Sequence, residues 1–210
     1  MSTGNLPYEF ALPKGTPPEL ITAIKNTVRD TFNRHGAAAF EMSRDAAILH
    51  ETGHTIVAAH EGVNFQSVRV FSRTVPLFGN VWGGWCAEKD KEWTTGPDTS
   101  IESDLSRARI IIGGLAGEVV CGLDKPGSSL DELLLSQFVG LNAAKKLDDY
   151  TPTDEYNGRF WNERVWKVAF EILVHNSEPF KRLAKHLDQH ETVNGGKLHA
   201  ILAQVRRIAP

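Results

Sequence analysis

The most apolar stretch of this 210-residue chain, residues 108–123, contains four glycines and Glu118, and that combination limits the folds open to it. It falls short of the roughly 20 continuous apolar residues a bilayer-spanning helix requires. Read as a helix over residues 104–121, it places Gly113, Gly114 and Gly117 inside the helix. Each internal glycine costs about 1 kcal/mol against alanine. Close packing against another helix is the natural reason to keep them. The chain is therefore expected to bury this segment in a helical core.

The remaining periodicity agrees with a helical frame. Pro17 and Pro18 open a segment in which Leu20, Ile21, Ile24, Val28 and Phe32 recur at helical spacing, and Gly36 closes it. A long helix is expected over residues 42–60, with Ser43 as N-cap and Gly62 as terminator. Residues 67–71 alternate polar and apolar, and residues 80–88 are aromatic and glycine-rich, so both are expected as strands. Residues 89–100 read as a loop and 122–129 as a turn. Ser129 and Glu132 form a capping box for a helix to about residue 147. After an acidic loop over 148–158, helices are expected at 160–175, 178–189 and 196–207. The fold class is thus mainly α with a small β-sheet (α+β). A division into an N-terminal extension, 1–36, and a domain, 37–210, is expected.

Composition excludes several function classes. The net charge of −3, with no run of Lys or Arg, offers no footprint for nucleic acid. The first residues lack a basic region followed by an apolar one, so no secretory signal is read there. Only Cys86 and Cys121 occur, each in an apolar setting, which argues against a disulfide scaffold and for reduced core thiols. A cytoplasmic protein with no membrane partner is expected.

Within the helix at 42–60 runs His50-Glu51-Thr52-Gly53-His54. A shuffle of this composition would contain HExxH roughly two times in a hundred, so its placement inside a helix matters as much as its letters. Residues four apart lie on one helix face, so His50 and His54 can share an ion. Two neutral imidazoles leave zinc with positions open for water and another ligand. Glu51 is then close enough to accept a proton from that water.

Three residues compete for the third ligand. His60 would satisfy a longer pattern, but Val57 replaces its glycine and no Met follows. In a continuous helix His60 also points about 80° away from His50. Glu118 is expected to be buried, and it can ligate directly or accept the distal N–H of a ligand histidine. The second role is favoured. Asp131, like Glu132, is also explained as a first-turn acid on a helix dipole. Spacing alone does not separate Asp131 from Glu118.

Four collinear segments carry a resemblance. The run ILHETGHTIVAAHEG resembles the His-Glu-Ala-Gly-His helix of the FtsH-like AAA metalloproteases. GGLAGEVVCG resembles their Gly-Gly-Arg-Ala-Ala-Glu-Glu segment, and GSSLDEL their Gly-Ala-Ser-Asn-Asp-Leu run. The tail around ETVNG is similar to their C-terminal helices. Together these span residues 42–205. The resemblance implies a zinc peptidase domain with Asp131 as third ligand and Glu118 in a supporting role. The chain departs from the pattern at Thr52, Leu115 and Leu130. It also lacks a GxxxxGK[ST] phosphate loop and a membrane anchor.

The expected activity is hydrolysis of peptide bonds in flexible or unfolded polypeptides, without ATP hydrolysis by the chain itself. Zn2+ sits on His50, His54 and Asp131, and Glu51 is the base. The strand at 80–88 would edge the cleft and take an extended substrate by β-addition. Gly83 and Gly84 would permit close backbone approach, with Trp85 beside them. The resemblance suggests a homo-oligomeric ring, but that ring depends partly on the ATPase part, so a monomer or small oligomer is equally open, and a separate AAA ATPase is a further candidate partner. The rival expectation is a metal-binding or regulatory protein that keeps the fold without hydrolysis. Glu51 argues against it, because a structural site needs no base.

Overall fold

A computed structural model describes residues 16–75, 79–88, 98–123 and 130–208. Helix α1 (Pro18–His35) is followed by a 3-10 turn (Ala37–Phe40), then α2 (Arg44–His60), strands β1 (Phe65–Val75) and β2 (Gly79–Glu88), and α3 (Ile101–Val120). Helices α4 (Leu130–Ala144), α5 (Asp154–Trp161), α6 (Lys167–His175) and α7 (Ser177–His190) lead to strand β3 (Thr192–Asn194) and α8 (Gly195–Leu202). The fold is mainly helical with one small antiparallel sheet, as the periodicity predicted. No helix among the described residues is long and apolar enough to cross a membrane.

The centre of the molecule is the α2–α3 pair. Ser43 caps α2 by accepting the Ala46 N–H, and Gly62 ends the segment at φ +83°, a conformation that favours glycine. The glycines of α3 have the expected purpose. A Cβ on Gly53 would overlap the Gly113 carbonyl oxygen, and one on Gly117 would lie 2.5 Å from Leu49 O. The two helix backbones thus meet where neither carries a side chain. Around that seam Ile56, Val57, Leu105, Ile112 and Ala116 are buried. Arg109, also buried, pairs with Glu61 and Glu102 and donates to the Arg164 carbonyl, tying α2 and α3 to the α5–α6 connection.

The strands run in the order β2-β1-β3, so β2 is an edge strand. Its pairing with β1 places Gly84 opposite Val70 and Trp82 opposite Ser72. Strand β3 went unread in the sequence because it is three residues long, too short for alternation to register. It forms because Glu191 adopts a left-handed conformation (φ 58°), which turns the chain out of α7 and against β1.

Other boundaries differ from expectation, among them the end of α8, which stops at Leu202 instead of residue 207. Helix α3 starts at Ile101, because Ser100 accepts the Ser103 N–H and caps it ahead of residue 104. The acidic segment at 148–158 is helical from Asp154, where Thr153 accepts the Tyr156 N–H and Asp154 and Glu155 favour the helix N-terminus. A widened turn, Asn162–Trp166, then joins α5 to α6. Cys121 is exposed at the end of α3 instead of lying in the core.

Candidate metal and catalytic site

The packing of α3 on α2 sets two imidazoles. His50 Nδ1 lies 2.7 Å from Glu118 Oε1, on a side chain with no solvent exposure. His54 Nδ1 lies 2.7 Å from the Ile110 carbonyl oxygen. A carbonyl only accepts, so the His54 Nδ1–H donates; the buried Glu118 carboxylate likewise takes the His50 Nδ1–H. In the neutral rings, both Nε2 atoms then present lone pairs. The Nε2 atoms face one another at 3.0 Å, with the rings edge to face at 80°.

Helix α4 brings a carboxylate to the same point. Glu132 Oε1 is 3.3 Å from His50 Nε2 and 3.1 Å from His54 Nε2. Its Oε2 is buried and makes no hydrogen bond among the described residues. Three lone-pair-bearing groups thus converge with no proton supplied between them by the neutral rings. Such a cluster repels itself unless a cation, or protons, occupy its centre. In the metal-free protein the electrostatics run toward protons. Burial is the largest single influence and opposes charging of both histidines, but the surrounding carboxylates together outweigh it (Glu132 and Glu51 at both, Glu118 also at His50), raising His54 and taking His50 well above the ordinary imidazole range. Burial likewise works against the Glu132 carboxylate, yet the two histidines hold it far below the usual range.

The spacing fits a small divalent cation. Ligands about 2.0–2.1 Å from a tetrahedral zinc stand roughly 3.3 Å apart. His50, His54 and Glu132 offer donor atoms all within 4.8 Å of one another. Space for them is made by Gly114, where a Cβ would stand 2.5 Å from His50 Cε1, His50 Nε2 and His54 Nε2. The glycine is part of the site's shape. The Glu132 side chain is 27% exposed against 7% for His50, so the α4 side is the more open one.

Asp131 was expected among the donors, but the structure brings Glu132 there instead. Successive helix residues project about 100° apart, so one helix start aims only one of these two side chains at the imidazoles. Asp131 remains half-buried nearby, its carboxyl pushed up to about 7 by burial and by the adjacent Glu132 charge. Ser129, the other half of the expected capping box, lies outside the described residues. The box had accounted for Glu132 in the sequence, which is why its approach to the imidazoles was missed. His60 sits apart from the site: its Nε2 accepts the Ile208 N–H at 3.0 Å.

Glu51 projects from α2 toward the sheet. Its carboxylate lies under Gly84, where a Cβ would overlap Cγ and stand 2.6 Å from Oε1. The Cys86 thiol donates to Glu51 Oε2 at 3.0 Å. Gly84 therefore permits an approach no other residue would, while Gly83 faces open space. Trp85 is 51% exposed on the outer side of β2.

Register fixes which backbone groups face the open edge. The Val70 N–H donates to Glu191 O, toward β3, so the opposed Gly84 points its N–H and C=O away from β1. Trp82 shares that orientation, and its N–H is taken by the Met42 carbonyl at 3.2 Å. Among the described residues no strand covers the edge at Gly84. No protein-family model and no curated protein matches this chain.

Proposed function

We propose that this chain is a zinc metallopeptidase that holds its ion on His50, His54 and Glu132 and uses Glu51 as the base. One observation carries the reading: two Nε2 lone pairs and a carboxylate converge on one point, with both Nδ1 atoms committed elsewhere. A structural metal site would have no use for the carboxylate of Glu51 against a strand edge. The resemblance to FtsH-like peptidase domains supports the same reading and is part of the proposal.

When bound, zinc supplies Lewis acidity that polarises a peptide carbonyl and lowers the pKa of a water molecule. Glu51 takes the proton of the attacking water and delivers it to the leaving amine. Glu118 and the Ile110 carbonyl hold the two imidazoles in the tautomer that keeps Nε2 available. The Gly84 edge hydrogen-bonds an extended substrate as an added strand, which selects flexible or unfolded polypeptides. Trp85 gives that strand an apolar contact. Action in the cytoplasm, assembly into a homo-oligomer and delivery of substrate by a separate AAA ATPase belong to the same proposal.

The test is bound zinc together with cleavage of casein or a quenched fluorescent peptide, for wild type and Glu51→Gln. Retained zinc with turnover reduced roughly 100-fold or more is expected. Equal turnover in the two proteins rejects the mechanism. Zinc binding without any turnover in wild type favours a non-hydrolytic metal protein.

A further inference from the structure

Cys86 is half-buried beside Glu51, and the function proposed above leaves it unused. It stands on β2 two residues beyond Gly84, so both side positions face α2. Its Sγ lies 3.0 Å from Glu51 Oε2 and 3.3 Å from Thr55 Oγ1. The Thr55 hydroxyl already donates to the Glu51 carbonyl at 2.6 Å, so toward Cys86 it can only accept. A carboxylate only accepts, so the proton between sulfur and Glu51 Oε2 is the thiol's, with Thr55 Oγ1 a second and more distant acceptor for it. Burial, then the Glu51 charge, raises the thiol well above its ordinary range, which keeps that proton in place.

Among the described residues, Cys86 is the one hydrogen-bond donor to the Glu51 side chain. Glu51 is 7% exposed, so water does little to fix its rotamer. Its other oxygen, Oε1, lies under Gly84 of the edge strand, on the face toward α2. We propose that Cys86 is a positioning residue: its thiol grips Glu51 Oε2 and so holds Oε1 under Gly84, beside the edge where a substrate strand would lie. The role of Glu51 as base rests on the peptidase reading; the grip itself does not. A thiol suits the place because it packs as a small apolar group and still donates one weak hydrogen bond.

Two measurements test this on the full chain. In a Cys121→Ala background Cys86 is the only thiol, and its S–H stretching band is read by infrared spectroscopy. The band should lie at lower wavenumber than that of an unbonded thiol and move up in Glu51→Ala. A band that does not move overturns the proposal, whether or not the protein is a peptidase. The second measurement is steady-state cleavage by the zinc-loaded protein. Cys86→Ala should lower kcat roughly 10- to 100-fold with KM and zinc content unchanged, and Cys86→Ser should recover most of it. In Glu51→Gln the same Cys86→Ala change should have no further effect. Unchanged kcat in Cys86→Ala, or an equal loss in the Glu51→Gln background, also overturns the proposal. An inactive wild type with a shifting band would count against the peptidase reading alone and support the grip.

Discussion

Gly114 should be the least replaceable small residue of the site. A methyl group there would stand 2.5 Å from atoms of both imidazoles, whereas ordinary contact begins near 3.4 Å. Both rings would have to yield by about 0.9 Å. Neither can swing aside cheaply. His50 Nδ1 is held by Glu118 and His54 Nδ1 by the Ile110 carbonyl, each at 2.7 Å. Relief must come from breaking one of those bonds or from separating α3 from α2, along a seam where Gly53 and Gly113 already touch. Overpacking of this kind costs about 1–3 kcal/mol. Displaced donors should also weaken zinc binding roughly 100-fold. Gly114→Ala is to be compared with wild type by denaturant unfolding of the metal-free protein and by zinc competition against a chromophoric chelator. Gly83→Ala, whose methyl meets nothing within 4 Å, is the control. Wild-type zinc affinity in Gly114→Ala would refute the packing argument.

Three other outcomes follow from the same geometry. Glu118→Gln should leave the fold intact but weaken zinc binding roughly 10- to 100-fold by chelator competition, because His50 Nδ1 loses a charged acceptor. Gly84→Ala should lower turnover while sparing zinc affinity, since the atoms nearest its methyl all belong to Glu51, which it displaces; equal turnover would show that Glu51 does not work from this position. The third concerns pH in the metal-free protein. The histidine pKa values are raised, His50 most, because the carboxylates around them together outweigh burial, so their stabilisation is present below the unfolded value and fades as pH rises through the folded ones. Asp131 acts with the same sign between its unfolded 3.8 and about 7. The loss of Glu132's own contribution belongs to a more acid range. Thermal midpoints measured with chelator should therefore fall between about pH 6 and pH 8. Zinc replaces the protons, so its stabilisation should be larger at the higher pH. A chelated protein that gains stability over that interval would contradict this electrostatic picture.

What the sequence disclosed was what periodicity and local chemistry carry. The helices α2 and α3 and the reason for the glycines of α3 were legible, because amphipathic spacing and the cost of internal glycine are local signals. His50, His54 and Glu51 were legible because their relation is fixed by one helix. Glu118 was expected to accept the N–H of a ligand histidine, because a carboxylate among Gly117, Val119 and Val120 has to be paired; that the histidine is His50 came from the structure. The choice between Asp131 and Glu132 was not legible. The two are adjacent, either satisfies a helix start, and only the angle at which α4 meets α2 and α3 decides which one reaches the imidazoles. Cys86 read as a core thiol, since its neighbour Glu51 lies on another element and only the β1–β2 register brings them together. Strand β3 and the early start of α5 depended on single capping residues, Glu191 and Thr153, whose effect appears only once the chain has turned.

The central claim is that one cation is held by His50, His54 and Glu132. Calorimetric titration of the chelator-stripped protein with Zn2+ tests it most directly, run on wild type, Glu132→Gln and Asp131→Asn. One equivalent per chain should bind wild type and Asp131→Asn with similar affinity, with binding lost or weakened more than 100-fold in Glu132→Gln. Tight binding that survives Glu132→Gln but is lost in Asp131→Asn, or no binding by wild type, would contradict the account.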